Sequence, residues 1–340
     1  MILVTGGTGL IGTHLLLWLI RRGENVRALY RTQGKKETCR KIFQSLDDQG
    51  GSLFDAIEWI QGDITDIMSL EKAFVDVDYV YHSAAYISFE TRNYLKLRKA
   101  NIEGTANIVN QCIAHSVKKL CYVSSVSTLG EPINNQPIDE NSEWDSEKKH
   151  SVYAITKYGA EMEAWRCHHE GIPTVIVNPG IVIGPGYFKG SGYLFSRLYQ
   201  GLSYYTEGGS GYIGIDDVVR AMLQLMNSEI AGERFILVAE NVVYQDILTR
   251  VAGALNVPPP SKKLSETQLK ILSTLEWFRS LLPGRKHLLN TTVMESLITY
   301  TKYSSAKIEN QLHFQFTPID QAIQETATYF LQYYPGLKPE

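Results

Sequence analysis

The stretch MILVTGGTGLIG, residues 1–12, decides the fold. Ile2, Leu3 and Val4 form a short apolar run, the composition of a parallel strand buried on both faces. Thr5 follows, then Gly6, Gly7, Gly9 and Gly12, which contain the spacing G-x-G-x-x-G. Leu15, Leu16, Trp18, Leu19 and Ile20 open an apolar helical run. Strand, glycine turn, helix is the context in which that spacing reads as a dinucleotide fingerprint. The glycines are needed for steric reasons: one for the tight turn, one for approach of a pyrophosphate, one for close packing of helix on strand. The helix N-terminus then offers N–H groups and positive dipole to phosphate.

Working outward, strands are predicted at 2–4, 25–31, 57–60, 78–82, 119–123 and 174–178. Helices are predicted between them, at about 36–46, 69–74, 94–116 and 152–170. This alternation builds a doubly wound parallel sheet with helices on both faces, because each right-handed crossover needs a helix. Ligands of such sheets bind at the carboxyl ends of the strands. The pattern predicts an α/β Rossmann-type domain over 1–180 and a smaller α-rich, substrate-binding portion over 181–340. Residues 216–238 are expected to return to the first domain. Beyond Gly180, Gly184–Gly186 and Gly208–Gly211 read as loops. Helices are expected at 193–201, 216–227, 244–255, 265–281, 291–299 and 318–333, with short strands at 234–238 and near Lys262.

The 340 residues carry a net charge of −3, with 44% hydrophobic and 20% charged residues. That balance is ordinary for a globular protein and gives no reason to expect nucleic acid. No apolar run has the length of a membrane span, and no basic leader precedes the first strand. Cys39, Cys112, Cys121 and Cys167 show no C-x-x-C spacing, so reduced thiols and a cytoplasmic location are expected. His168 and His169 point to different sides of a helix and read as surface residues, leaving metal catalysis unsupported.

A second constellation is Tyr153-Ala-Ile-Thr-Lys157. Residues four apart share a helix face. A free phenol titrates near 10. A neighbouring ammonium favours phenolate, which makes the pair a general acid–base device. The pair opens a helix one unit after Ser124-Ser125, where the sheet would present its ligand.

With these motifs assembled, the chain resembles the extended short-chain dehydrogenases/reductases, the group of NAD-dependent epimerases and dehydratases. The matching segments are TGGTGLIG (5–12), GDITD (62–66), HSAA (82–85), NIEGT (101–105), YVSS (122–125), YAITK (153–157) and NPGIVIGPG (178–186). The resemblance covers residues 1–230 well and the remainder loosely. It implies that Gly6, Gly9 and Gly12 cradle the pyrophosphate and that Thr5, Leu10 and Ile11 also bind the cofactor. Asp63 meets the adenine amino group and Ile64 packs on the ring. Ala84 and Ala85 keep the cofactor wall small, and Asn178, Pro179 and Gly180 lie under the nicotinamide. It further implies that Ser125 holds the substrate oxygen, Tyr153 transfers the proton, and Lys157 grips the ribose and lowers the tyrosine pKa. Ser125 is chosen over Ser124 and Ser127 because it lies five residues before Gly130. Asn101 is expected to tie down its own helix.

Two departures refine the expectation. Sugar-nucleotide dehydratases carry Asp-Glu after the catalytic Ser/Thr position; here Val126-Ser127 follows Ser125. Many epimerases end the second strand in a carboxylate; here the ending is Tyr30-Arg31, similar to the dihydroflavonol reductase and hydroxysteroid dehydrogenase branch. Arg31, with Lys35 and Lys36 nearby and Arg27 as a weaker candidate, predicts NADP(H) over NAD(H), since an arginine in this zone accommodates the extra phosphate. The expectation is a reductase of a small ketone or aldehyde. A sugar epimerase and a non-catalytic NADP-binding sensor are the alternatives. Tyr86, Phe188 and Tyr193 are expected at the substrate pocket, and a homodimer is expected through helices 94–116 and 152–170.

Overall fold

A computed structural model describes residues 1–132, 136–188, 192–280 and 290–334. The first half reads β1 (Ile2–Thr5), α1 (Leu10–Arg21), β2 (Val26–Tyr30), α2 (Gln33–Leu46), α3 (Gly50–Asp55), β3 (Glu58–Gln61), α4 (Ile67–Ala73) and β4 (Tyr79–His82). Next come α5 (Tyr94–Leu97), a π turn (Arg98–Glu103), α6 (Gly104–Ala114), β5 (Lys119–Val123), α7 (Val152–His169) and β6 (Thr174–Pro179). β7 (Ile181–Ile183), α8 (Tyr193–Tyr199), β8 (Tyr204–Tyr205), β9 (Gly209–Gly214), α9 (Ile215–Met226), β10 (Glu233–Leu237) and β11 (Glu240–Val243) follow. The chain ends in α10 (Tyr244–Ala254), β12 (Lys262–Lys263), α11 (Glu266–Ser280), α12 (Thr291–Ile298), α13 (Ala306–Leu312) and α14 (Ile319–Tyr333).

Seven parallel strands form the main sheet in the order β10-β6-β5-β4-β1-β2-β3. The chain reverses its winding direction between β1 and β4, and their carboxyl ends diverge there to leave the crevice where doubly wound sheets take ligand. On one face, α1 and α9 pack over Val4, Tyr81, Cys121 and Val177; on the other, α4 and α6 cover Leu3, Val80 and Leu120. A second sheet, β11-β9-β7, carries its own core with α8, α10 and α14. β10 comes from the second half of the chain yet closes the main sheet against β6.

Several readings of the sequence change. Gly209 and Gly211 lie not in a loop but in β9, the middle strand of the second sheet. A Cβ on Gly211 would stand 2.6 Å from Val238, and one on Gly180 would stand 2.4 Å from the Gly211 carbonyl. Close contact with a backbone carbonyl at Gly180 and with the Val238 side chain at Gly211, not a turn, explains these glycines. The helix expected over 94–116 runs without a gap over 94–114 but widens into a π turn at 98–103. The elements α3, β7, β8, β11 and α13 were not foreseen, being too short to show a period. Residue 281, the expected end of one helix, lies outside the described residues. His168 is half-buried over Gly232, where a Cβ would stand 2.4 Å from its ring. All four cysteines are buried and free.

One buried residue ties β1 to β4 and α6. His82 is fully buried, its Nδ1 2.6 Å from Thr5 Oγ1 and its Nε2 2.9 Å from Thr105 Oγ1. Burial, helped by the charge of Lys157, pushes its pKa down to about 3. The folded chain therefore keeps His82 neutral at a pH where the unfolded chain binds a proton. Below about pH 6.5 the unfolded state gains that proton and the folded state does not, so this group removes stability as pH falls from about 6.5 towards about 3. Denaturant midpoints measured across this window should fall with pH in the wild type, and fall less in His82→Gln, once Asp and Glu contributions common to both are subtracted. Parallel curves for the two proteins would refute the assignment.

Candidate active site

The glycine turn is built by backbone contact. Gly6 has φ of +72° and its missing Cβ leaves room for Ala84 N at 2.6 Å, so β1 turns against the end of β4. A Cβ on Gly12 would stand 2.2 Å from the Gly6 carbonyl, so α1 starts in contact with the turn. Gly9 differs. It is exposed, and the nearest atom to its would-be Cβ is Gly6 O at 3.4 Å. No side chain caps α1, whose first turn holds no carboxylate. The protein's own packing demands Gly6 and Gly12, while Gly9 leaves open space in front of unfilled helix N–H groups. That arrangement fits a pyrophosphate. Leu10 and Ile11 pack half-buried behind it.

At the end of β2, Arg31 Nη1 lies 3.7 Å from Asp63 Oδ2, with the arginine side chain more than half exposed. Asp63 Oδ1 accepts from Thr65 N and Thr65 Oγ1, each at 2.9 Å. Partial burial works to raise the Asp63 pKa, but the Thr65 hydrogen bonds and the Arg31 charge leave it lowered. Ile64 packs against Gly104 of α6, and Asn107 Nδ2 donates to its carbonyl. Lys36 sits over the rings of Tyr30 and Trp59. Arg27 is not available to a ligand: it is buried, donates to the carbonyls of Ala73 and Val75, and pairs with Glu58. It sits near the amino end of β2, beneath the end of α4, away from the carboxyl end that Arg31 follows.

The second cluster lies at the ends of β5 and β6. Ser125 caps a 3₁₀ turn, Val126–Thr128, accepting from Ser127 N at 3.2 Å and Ser127 Oγ at 3.0 Å. Its hydroxyl also stands beside the half-buried phenol of Tyr153. Burial pushes the Tyr153 pKa up to about 12, against the pull of Ser125. Lys157 is 2% exposed and donates to Tyr122 Oη at 2.7 Å and to the Val123 carbonyl at 2.8 Å. Burial pushes its pKa down to about 7, against the charge of Glu161. The ammonium thus engages β5, and the expected lowering of the phenol is not seen: desolvation outweighs it.

Asn178 ends β6 with its Nδ2 surrounded by Ser125 O, Thr128 Oγ1 and Glu161 Oε2, at 3.2, 3.0 and 2.9 Å. Its Oδ1 is buried without a partner, an open acceptor for a donor group of a bound cofactor. Pro179 and Gly180 follow beside β10, with Gly180 N donating to Leu237 O. Asn101 lies in the π turn, where its side chain bonds both backbone groups of Tyr86 and Thr156 Oγ1. It ties the strand-end segment to α7, not its own helix.

A profile of the NAD dependent epimerase/dehydratase family matches residues 2–238. The chain belongs to this family. A putative dihydroflavonol 4-reductase of Synechocystis is 28% identical over 337 residues, covering 96% of this chain and 93% of the relative. A 2-alkyl-3-oxoalkanoate reductase of Stenotrophomonas maltophilia is 26% identical, covering 78% of each. The crystal structure of gox2253 superposes with a TM-score of 0.82 at 26% identity, covering 98% of both chains. As an NAD(P)-dependent oxidoreductase of the extended short-chain type, this epimerase/dehydratase family member has its glycine cradle at the switch point, and its Ser125–Tyr153 pair beside Asn178.

Three features escaped the sequence reading. Glu161 carried a signal in lying four residues after Lys157, but a buried carboxylate is not legible from a mixed helix. Tyr122 stood within a quoted motif without a role. Phe89 lies against Tyr153, ring centroids 5.5 Å apart and planes tilted by 59°, and its carbonyl accepts from Asn290 Nδ2. Phe188 leaves the pocket list, because it packs in a cluster with Phe195, Phe330 and Tyr334. Tyr193 is exposed, and Tyr86 is held through its backbone by Asn101. A cleft of about 610 Å³ opens at the opposite ends of the strands, beside Met1, Tyr79 and Lys119; no residue of the dinucleotide or Ser-Tyr-Lys motifs lines it.

The glycines separate folding from binding. Gly12→Ala must displace backbone and should cost about 1–3 kcal/mol of stability. Gly9→Ala should melt within about 0.5 kcal/mol of the wild type, yet bind NAD(P)H about tenfold more weakly. Thermal melts and fluorescence titration check both; unimpaired binding by Gly9→Ala would remove the pyrophosphate from that turn.

Proposed function

We propose that this chain is an NADPH-dependent reductase of a small ketone or aldehyde. The observation that carries the reading is the Ser125 hydroxyl beside the half-buried Tyr153 phenol, with Lys157 one helical turn on and the glycine cradle opposite. When bound, the nicotinamide supplies or accepts the hydride. The chain's own residues do the rest. Ser125 donates to the carbonyl oxygen and fixes its place. Tyr153, held protonated at neutral pH by burial, gives its proton to that oxygen, the role a reduction requires. Lys157 has two of its N–H bonds committed to β5 and turns the third to the ribose. Phe89, 44% exposed beside Tyr153, gives an apolar wall for the substrate. The absence of a carboxylate pair after Ser125 speaks against dehydration. A nucleotide-sugar epimerase is the second reading, supported by likeness of fold to a UDP-glucose 4-epimerase from Thermotoga maritima (TM-score 0.76, 21% identity, 97% of this chain). The exposed Ile155 and Met162 on one face of α7 support a homodimer through α6 and α7.

Incubation with NADPH and a panel of ketones and aldehydes separates the readings. A reductase consumes cofactor in proportion to product; an epimerase shows no net consumption. Tyr153→Phe should fold and bind cofactor but lose about 10²–10⁴ in turnover. Near-normal turnover in that variant would overturn the assignment of the tyrosine.

The cofactor preference rests on Arg31. Its pairing with Asp63 is long and solvent-exposed, an interaction worth about 0–1 kcal/mol, so the guanidinium can turn to a ribose phosphate at little cost. A charge-assisted contact to phosphate contributes about 1.5–3 kcal/mol. NADPH should bind more tightly than NADH, and Arg31→Ala should narrow that gap about tenfold or more in fluorescence titrations. Equal affinities in the wild type would sink the preference.

A further inference from the structure

Two turns beyond Tyr153 and one beyond Lys157, α7 carries Glu161, with no solvent exposure. Its Oε2 accepts from Ser124 Oγ at 2.5 Å, Thr128 Oγ1 at 2.7 Å and Asn178 Nδ2 at 2.9 Å. Its Oε1 pairs with Arg234 Nη1 at 3.1 Å. A carboxylate so far from water needs this many donors. The partners are not scattered: Ser124 and Thr128 bracket Ser125, and Asn178 Nδ2 also donates to the Ser125 carbonyl. The same helix face runs Tyr153, Lys157, Glu161, so the carboxylate is also the charge next to the buried ammonium.

We propose that Glu161 is the positioning residue of this site, holding the Ser124–Thr128 turn that presents Ser125 and supplying the counter-charge that lets the Lys157 ammonium stay buried. The proposal rests on the Ser125–Tyr153–Lys157 reading above. The groups facing Lys157 support it. From β4, His82 is neutral above about pH 3. From β5, Tyr122 is held protonated, its pKa raised by burial and by Glu161. From its own helix, Tyr153 stays protonated to about pH 12. Arg234, on β10, lies beyond Glu161 and is also tied to the Glu140 and Ser142 carbonyls. Near neutral pH the charge facing Lys157 is therefore Glu161, which favours the ammonium, with Arg234 behind it and paired to its Oε1. With burial pushing Lys157 down to about 7, a modest change in this pair decides its protonation.

The test follows Lys157 directly, by ¹³C NMR of the lysine Cε in the full-length protein as pH is varied, with Lys157→Arg identifying the resonance. Wild type should titrate near neutrality. Glu161→Gln should titrate about one pH unit lower, because the ammonium loses its counter-charge. The pair Ser124→Ala with Thr128→Val keeps the carboxylate and should titrate like wild type, while lowering turnover at every pH by loosening Ser125. Arg234→Gln should move the Lys157 midpoint upward, and it decides the matter if Glu161→Gln fails to fold. An unmoved midpoint in folded Glu161→Gln, or in Arg234→Gln where the first variant does not fold, overturns the proposal. Tyr153→Phe, assayed in parallel, keeps the two readings apart. If it is inactive while the Lys157 midpoint ignores Glu161, only the positioning role fails. If it remains active, the site reading itself fails, whatever the titrations show.

Discussion

Backbone lies directly on backbone where β1 turns into α1. Gly12 meets the Gly6 carbonyl, and Gly6 meets the first atoms beyond β4. No side chain fits in either contact. Because Gly6 occupies the left-handed region and touches Ala84, the carboxyl ends of β1 and β4 are held at one fixed separation. That separation makes the crevice of the doubly wound sheet. Everything chemical in the molecule is arranged around it: the open face of Gly9 on one side, the Ser125 turn and the opening of α7 on the other.

The floor of the crevice is polar to an unusual depth. Thr5, His82, Thr105, Asn101, Lys157, Asn178 and Glu161 are all buried. Their side-chain hydrogen bonds mostly run between elements and not within them. Such networks stabilise one arrangement strongly only when nearly every member is satisfied, since an unpaired buried group carries its full desolvation cost. Asn178 Oδ1 breaks the rule. The π turn at Asn101 fits the same logic, because the extra backbone residue lets one side chain reach both Tyr86 and Thr156.

The second half of the chain grips the cradle instead of merely covering it. Tyr187 Oη donates to the Thr8 carbonyl at 2.8 Å and meets Thr13 Oγ1 at 3.0 Å. His14 Nε2 contacts the Pro185 carbonyl at 3.0 Å, and Ser45 meets Tyr329 at 2.8 Å. The glycine turn is thereby braced from a segment more than 170 residues away.

The order of strands and helices, the glycine turn and the Tyr153–Lys157 spacing were legible because each is a local pattern. A strand shows period or composition over a few residues, a fingerprint needs only its own steric logic, and residues four apart on a helix must share a face. The glycines of β9 misled the same reasoning, since a glycine required by a neighbouring backbone looks identical in sequence to one required by a turn. Tertiary structure alone decided that Lys157 engages Tyr122 and Val123, that burial raises the Tyr153 pKa, and that Arg27 is buried while Arg31 lies exposed beside Asp63. It also decided that Glu161 gathers donors from β5, β6 and β10. Desolvation and the meeting of distant elements set those outcomes. Both depend on what is packed around a residue, which no stretch of sequence records.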